Sequence, residues 1–339
     1  INFHIKYIHI LYIAMPTLKE VGKIRIQEHY NVQETKKAQT LTAIDFILEW
    51  FQKRIPMYRG GRPQIKSRTI REKVILIQSG TGSGKSVTLA PEIYDRFFES
   101  VGRTIVITQP RIILATSTPE IIVKYYPSMI LGKTIGYQTG EFVYKGRTGV
   151  LFTVIDLLAQ QLKTMTDDDI IKIYSFIIID ECHLRNLAMD LTLSLLKQFM
   201  LRNADNPECP FLILTSATFD TKKYAKFFQV GRENIIQVKG LNFPINEHFP
   251  LNIVPNYIEE SVNTVLKIHQ ENINDYKISG FTDILIFTYG SAPTRKIIEL
   301  LEKANNELKD HYVVLSLTSK IFHNVGLDYQ NIFKPLDSI

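Results

Sequence analysis

The stretch Ser79, Gly80, Thr81, Gly82, Ser83, Gly84, Lys85, Ser86 gathers the residue types that bind phosphate. Gly80, Gly82 and Gly84 let the backbone turn tightly and aim its N–H groups at an anion, where a following helix N-terminus adds its own. Lys85 is placed to reach the β- and γ-phosphates of a nucleotide, and Ser86 to hold Mg²⁺ through its hydroxyl. The strict pattern G-x-x-x-x-G-K-[ST] asks for glycine at position 79, where this chain has serine. The competing reading, a Gly/Ser surface loop, is opposed by the apolar run Val74, Ile75, Leu76, Ile77 just before it, which supplies the strand such a loop needs. A second stretch, Asp180, Glu181, Cys182, His183, follows the apolar run from Phe176 to Ile179. At the end of a buried strand beside a phosphate loop, Asp180 would hold Mg²⁺ directly or through water, and Glu181 would orient and deprotonate the attacking water. The alternative for the two acids is a helix N-cap with an acid in the first turn. Cys182 and His183 are adjacent and their side chains point apart, which favours neither a metal pair nor a thiol nucleophile with its base.

Positioning these residues requires strands that end where they begin. Thr104 to Thr108 is a β-branched run of strand length followed by Gln109, Pro110 and Arg111, and Val150 to Thr153 is a second apolar strand leading into helical spacing at Ile155, Leu158 and Leu162. Phe211 to Leu214 ends in Thr215, Ser216, Ala217 and Thr218. Ile112 to Tyr126 has mixed helical character with Pro119 as a break, and Leu41, Ile44, Ile47, Leu48 and Phe51 recur at helical spacing before Pro56, Gly60, Gly61 and Pro63. Short apolar strands alternating with helices, each strand ending in polar residues, describe an α/β doubly wound parallel sheet with its ligand site along those ends.

The 339 residues suffice for two domains with full cores, and 45% hydrophobic with 22% charged residues is ordinary globular composition that excludes disorder. The net charge of +6 suits a polyanionic partner, although an excess spread evenly over the surface is the plainer account. Two cysteines without paired spacing, Cys182 and Cys209, indicate neither a disulfide framework nor a zinc cluster, so a reducing, intracellular setting is expected. The first fourteen residues are too short to span a bilayer and lack a signal-peptide cleavage pattern, so no membrane partner is expected. With the first methionine at Met15, residues 1–14 read as an upstream extension outside the translated protein.

The loop T-G-S-G-K-S, then T-Q-P-R at Thr108 to Arg111, D-E-C-H at Asp180 to His183 and S-A-T at Ser216 to Thr218 together resemble the DExH-box group of superfamily 2 helicases. P-R-I-I-L from Pro110, I-G-Y-Q from Ile135 and N-F-P-I-N-E from Asn242 are similar to its DEAH/RNA-helicase-A branch and the nucleoside triphosphate phosphohydrolase II type of large DNA viruses. The resemblance implies a RecA-like parallel sheet with helices on both faces over residues 65–240, after an N-terminal extension and helix at 1–64. A second, incomplete RecA-like domain would occupy 241–339, with strands in Asp283 to Gly290 and Val313 to Leu317. It further implies use of ATP or another NTP with Mg²⁺, on Lys85, Ser86, Asp180 and Glu181. His183 would sense the γ-phosphate, and Ser216 and Thr218 would link hydrolysis to closure of the cleft between the two domains. Arg111 and Thr153, with the Gly136 to Gly140 turn, would lie along a nucleic-acid backbone without reading its sequence. RNA is the implied partner, with a DNA translocase of the same fold and a non-enzymatic nucleotide-binding remnant as the alternatives.

The chain also departs from that pattern. Ile112 stands where the branch has a second arginine, no arginine lies between Ile112 and Ile122 to hold a base, and Leu184 replaces the usual acid after D-E-x-H. Use of several NTPs is therefore expected. The family's later motifs, which carry its arginine fingers, have no counterpart before Ile339, which implies very weak hydrolysis by these 339 residues alone.

Overall fold

The computed structural model of the chain describes residues 9–14, 44–54, 70–80, 84–218, 220–238, 247–279, 284–308 and 313–317. They belong to two units, Glu34–Phe243 and a second made of Ile1–Gln33 with Pro244–Ile339. Strand β1 (His9–Ala14) is part of the second unit. In the larger unit, helix α1 (residues 44–52) is followed by β2 (Val74–Ser79), α2 (Lys85–Val101), β3 (Thr104–Gln109), α3 (Ile112–Ile122), β4 (Ile135–Gln138) and β5 (Val143–Tyr144). Then come β6 (Val150–Val154), α4 (Ile155–Thr164), α5 (Asp167–Ile173), β7 (Tyr174–Ile179), α6 (Leu187–Arg202), β8 (Phe211–Ser216), α7 (Thr221–Phe228) and β9 (Ile235–Val238).

These strands form one sheet in the order β5-β4-β6-β3-β7-β8-β2-β9, parallel throughout except for β5, which runs antiparallel to β4. A parallel sheet is buried on both faces, so its strands are apolar on both sides rather than alternating with polar residues. Val74, Leu76, Val106, Ile177, Ile179, Leu212 and Leu214 face a core closed by α4, α5, α6 and α7. Ile75, Ile77, Ile105, Ile107, Phe176, Ile178 and Ile213 face a second core closed by α1, α2 and α3. This is the RecA-like α/β arrangement that the motifs implied.

Phe51 of α1 is fully buried, with edge-on ring contacts to Phe97, Phe176 and Phe211 at centroid distances of 5.2–6.3 Å. The helical spacing expected before Pro56 is thus a helix laid over the sheet. α2 stops at Gly102, whose φ of 64° is left-handed and whose N–H returns to the Phe98 carbonyl at 2.7 Å, a glycine C-cap. The expected break at Pro119 does not occur. α3 runs through it to Ile122, with Pro119 itself buried, and the helix ends only after the carbonyl of Pro119 has accepted from the Val123 N–H at 3.1 Å. Proline removes its own N–H and leaves its carbonyl intact, so the turn after it still closes. Periodicity also passed over β9, an edge strand of four residues, and the short helix α5, which opens on a Thr166–Asp169 capping box.

In the second unit, α8 (Tyr257–Ser279), β10 (Ile284–Thr288), α9 (Ser291–Leu308) and β11 (Val313–Leu317) surround a small core of Val262, Val265, Ile297 and Leu301. Both expected strands are present. Between them lies β1, antiparallel to each, with Ile10 opposite Phe287 on one side and Leu317 on the other. The residues read from sequence as an upstream extension therefore include a strand of this sheet.

Candidate active site

All the strand ends that carry the motifs lie on one edge of the large sheet. β2 leads toward the expected phosphate loop, and Ser79, its last residue, is buried. Gly84 caps α2 with a φ of 83°; the nearest atom to a Cβ built there would be 3.9 Å away, so backbone conformation rather than space requires glycine. Thr81, Gly82 and Ser83 lie outside the described residues, as does the stretch from Asn242 to Asn246. Lys85 and Ser86 open α2, where the positive end of the helix dipole favours an anion.

β7 ends one residue before Asp180, which is 2% exposed. A buried carboxylate is tolerable only when its oxygens are satisfied. One oxygen, Oδ1, accepts from the Thr215 hydroxyl and from the Glu181 N–H at 2.9 Å. The other, Oδ2, accepts from the Ser86 hydroxyl and from Gln109 Nε2 at 3.1 Å. Ser86, predicted as a metal ligand, and Asp180, predicted as the metal carboxylate, are thus in direct contact. Sequence reasoning missed Gln109, which stands inside the T-Q-P-R motif, and Thr215, which directly precedes S-A-T. Their only signal was a polar residue at the end of an apolar strand.

Glu181 adopts a φ of 53°, in the left-handed region that non-glycine residues rarely occupy. Its Oε1 lies 3.3 Å from the Lys85 ammonium, whose side chain is nine-tenths buried, and its Oε2 lies 3.2 Å from His183 Nδ1. His183 Nδ1 also lies 3.0 Å from Ser216 Oγ, which accepts the Thr218 N–H at 3.2 Å. The base, the sensor and the coupling residues expected from the motifs thus form one connected chain. Cys182 faces the other way, into the core, and its Sγ donates to the Ile179 carbonyl at 3.1 Å. Burial, with the Asp180 charge second, pushes its thiol well above the ordinary range, so neither metal binding nor nucleophilic attack falls to it.

Arg111 is exposed at the N-cap of α3. Thr153 is 2% exposed at the end of β6, and its hydroxyl has no hydrogen-bond partner among the described residues. No cluster of three or more His, Cys, Asp or Glu side chains able to hold a metal exists among the described residues. The hard oxygen donors of Ser86 and Asp180 suit a cation such as Mg²⁺, which needs few protein ligands because water and substrate phosphates supply the rest. No helix among the described residues is long and apolar enough to cross a membrane.

The sequence profile of the family described as "Type III restriction enzyme, res subunit" matches residues 31–220, more than half of the chain. The chain belongs to this family, as a DExH-type member of helicase superfamily 2. A protein of African swine fever virus whose name, B962L, carries the words RNA helicase is 38% identical over 317 residues, covering 89% of this chain and 32% of the viral protein. The "ATP-dependent RNA helicase HrpA" of Borreliella burgdorferi is 29% identical, covering 75% of this chain and 29% of its own length. A Caenorhabditis elegans homolog of DHX35, also named as an ATP-dependent RNA helicase, is 31% identical over 76% of this chain and 34% of its own. The chain spans about a third of the length of these curated relatives.

Proposed function

We propose that this member of the DExH group hydrolyses ATP or another NTP and couples that reaction to movement along RNA. The observation that carries the reading is the convergence of Lys85, Ser86, Asp180, Glu181 and His183 on one edge of the parallel sheet, each in contact with another. Lys85 would exchange its pairing with Glu181 for the phosphates, which frees the Glu181 carboxylate to accept a proton from water. Ser86 and Asp180 would hold Mg²⁺, which neutralises charge on the phosphates when bound. His183, touching both Glu181 and Ser216, would report the state of the base to the S-A-T segment. The left-handed backbone at Glu181 supports a functional role, since such strain persists where the surroundings hold it.

Names of the similar proteins favour RNA over DNA as the track. Arg111, exposed beside the strand ends, is the contact best placed for a phosphate, whereas Thr153 is buried and a strand would reach it only after its surroundings open. The test is steady-state NTP hydrolysis with and without single-stranded RNA, beside Glu181→Gln. RNA-stimulated hydrolysis is expected, weak in absolute turnover for these 339 residues, with the variant slowed further by about a hundredfold or more, as for loss of a general base, while nucleotide binding persists. Equal turnover in the variant would remove Glu181 from the role of base, and absence of both nucleotide binding and hydrolysis would end the helicase reading.

A further inference from the structure

Gln109 has no role in the motif reading, yet it touches the group on which the metal site depends. It is 3% exposed, the last residue of β3, and donates from Nε2 to Asp180 Oδ2 at 3.1 Å. An ionised carboxylate only accepts, so the amide must present its nitrogen there. Oδ2 is the oxygen shared with the Ser86 hydroxyl, which is expected to turn toward a cation. Once Ser86 does so, Gln109 is the side chain left on that oxygen among the described residues, because Thr215 and the Glu181 N–H hold Oδ1.

The same residue stands two positions before Arg111. The backbone between them contains only Pro110, whose ring fixes φ. Arg111 in turn caps α3, its carbonyl accepting the Leu114 and Ala115 N–H groups at 3.1 Å each. A displacement of Arg111 therefore cannot be absorbed by a slack loop on either side. It moves the first turn of α3 or the end of β3, and the end of β3 carries the amide that orients Asp180.

We propose that Gln109 is a positioning residue that couples nucleic acid held at Arg111 to the orientation of the Asp180 carboxylate, and so to the grip on a metal-bound nucleotide. The proposal rests on the helicase reading and adds to it the physical link between its two ligands. Coupling between two sites is reciprocal, so it can be read from binding alone without turnover.

The experiment measures binding of a fluorescein-labelled oligouridylate to the chain, with and without Mg²⁺ and a non-hydrolysable ATP analogue. Two variants are compared. Gln109→Ala removes the side chain, and Gln109→Met keeps its volume and packing while removing the donor. In the unaltered chain the nucleotide is expected to change RNA affinity by about tenfold, within the usual range of coupling. In both variants that ratio falls to about one. Retention of the full ratio in Gln109→Met overturns the proposal. Binding of both ligands to the unaltered chain with no effect of one on the other also overturns it, while leaving the helicase reading to the hydrolysis test. Binding of neither ligand removes both.

Discussion

The Asp180 carboxylate shows how a buried acid is satisfied by its neighbours. Among the described residues, four donors from four positions satisfy its two oxygens, and one of them, the Ser86 hydroxyl, would be free to rotate toward a cation. Cys182, two residues on, shows the opposite outcome for a reactive group. Burial raises its thiol far above the ordinary range, and burial likewise raises the Cys209 thiol to about 12. A free thiol ionises near pH 8.5, so at mildly alkaline pH neither cysteine is expected to react with iodoacetamide in the folded protein. Both should react in denaturant, as mass spectrometry of the alkylated chain would show. Rapid labelling of native Cys182 would contradict its place in the core.

At the level of elements, helix ends carry much of the polar bookkeeping around the sheet. Asp167 opens α5 and Arg202 closes α6, so each charge sits at the helix end its sign favours, and the two meet at 2.7 and 2.9 Å. The hydrogen bond from Arg202 is the main reason that the Asp167 carboxyl titrates below its usual range. A depressed carboxyl stabilises the fold above its unfolded pKa, near 3.9, and loses that contribution as pH falls through the folded value. Both partners are partly exposed and screened, so Asp167→Asn should cost only about 0.5 kcal/mol near neutral pH. That difference should shrink as pH falls below about 3.9 and through the lowered folded value, which urea denaturation across the range would reveal. The α1 helix is held more firmly. Phe51→Ala empties a fully buried site among four other rings and should cost about 3–5 kcal/mol in the same assay.

For the whole chain, the net charge of +6 and the proposed polyanionic partner would make binding a function of salt. With about four phosphate contacts, affinity for single-stranded RNA should fall about fiftyfold between 50 and 200 mM salt. Removing one contact with Arg111→Ala should weaken binding evenly across RNA sequences and lower the slope by about 0.7. Fluorescence anisotropy titrations over a salt series give both quantities. A strong dependence on base sequence would contradict a backbone-directed grip.

The expected phosphate loop, the D-E-C-H acids and the S-A-T segment could be singled out in sequence because the chemistry proposed for them rests on contiguous residues at the ends of apolar runs. The alternation of those runs with helical spacing was enough to specify a parallel sheet with its site along one edge. Gln109 and Thr215 could not be assigned in this way. Their contact with Asp180 exists because β3 and β8 lie on either side of β7, and strand order is set by pairings across long stretches of chain rather than by local pattern. The left-handed backbone of Glu181 likewise arises from the surroundings that hold it, since glutamate has no local preference for that conformation. β1 marks the same boundary at the largest separation. Its residues were read from sequence only as an upstream extension, and pairing with β10 and β11, more than 260 residues away, makes them part of a sheet.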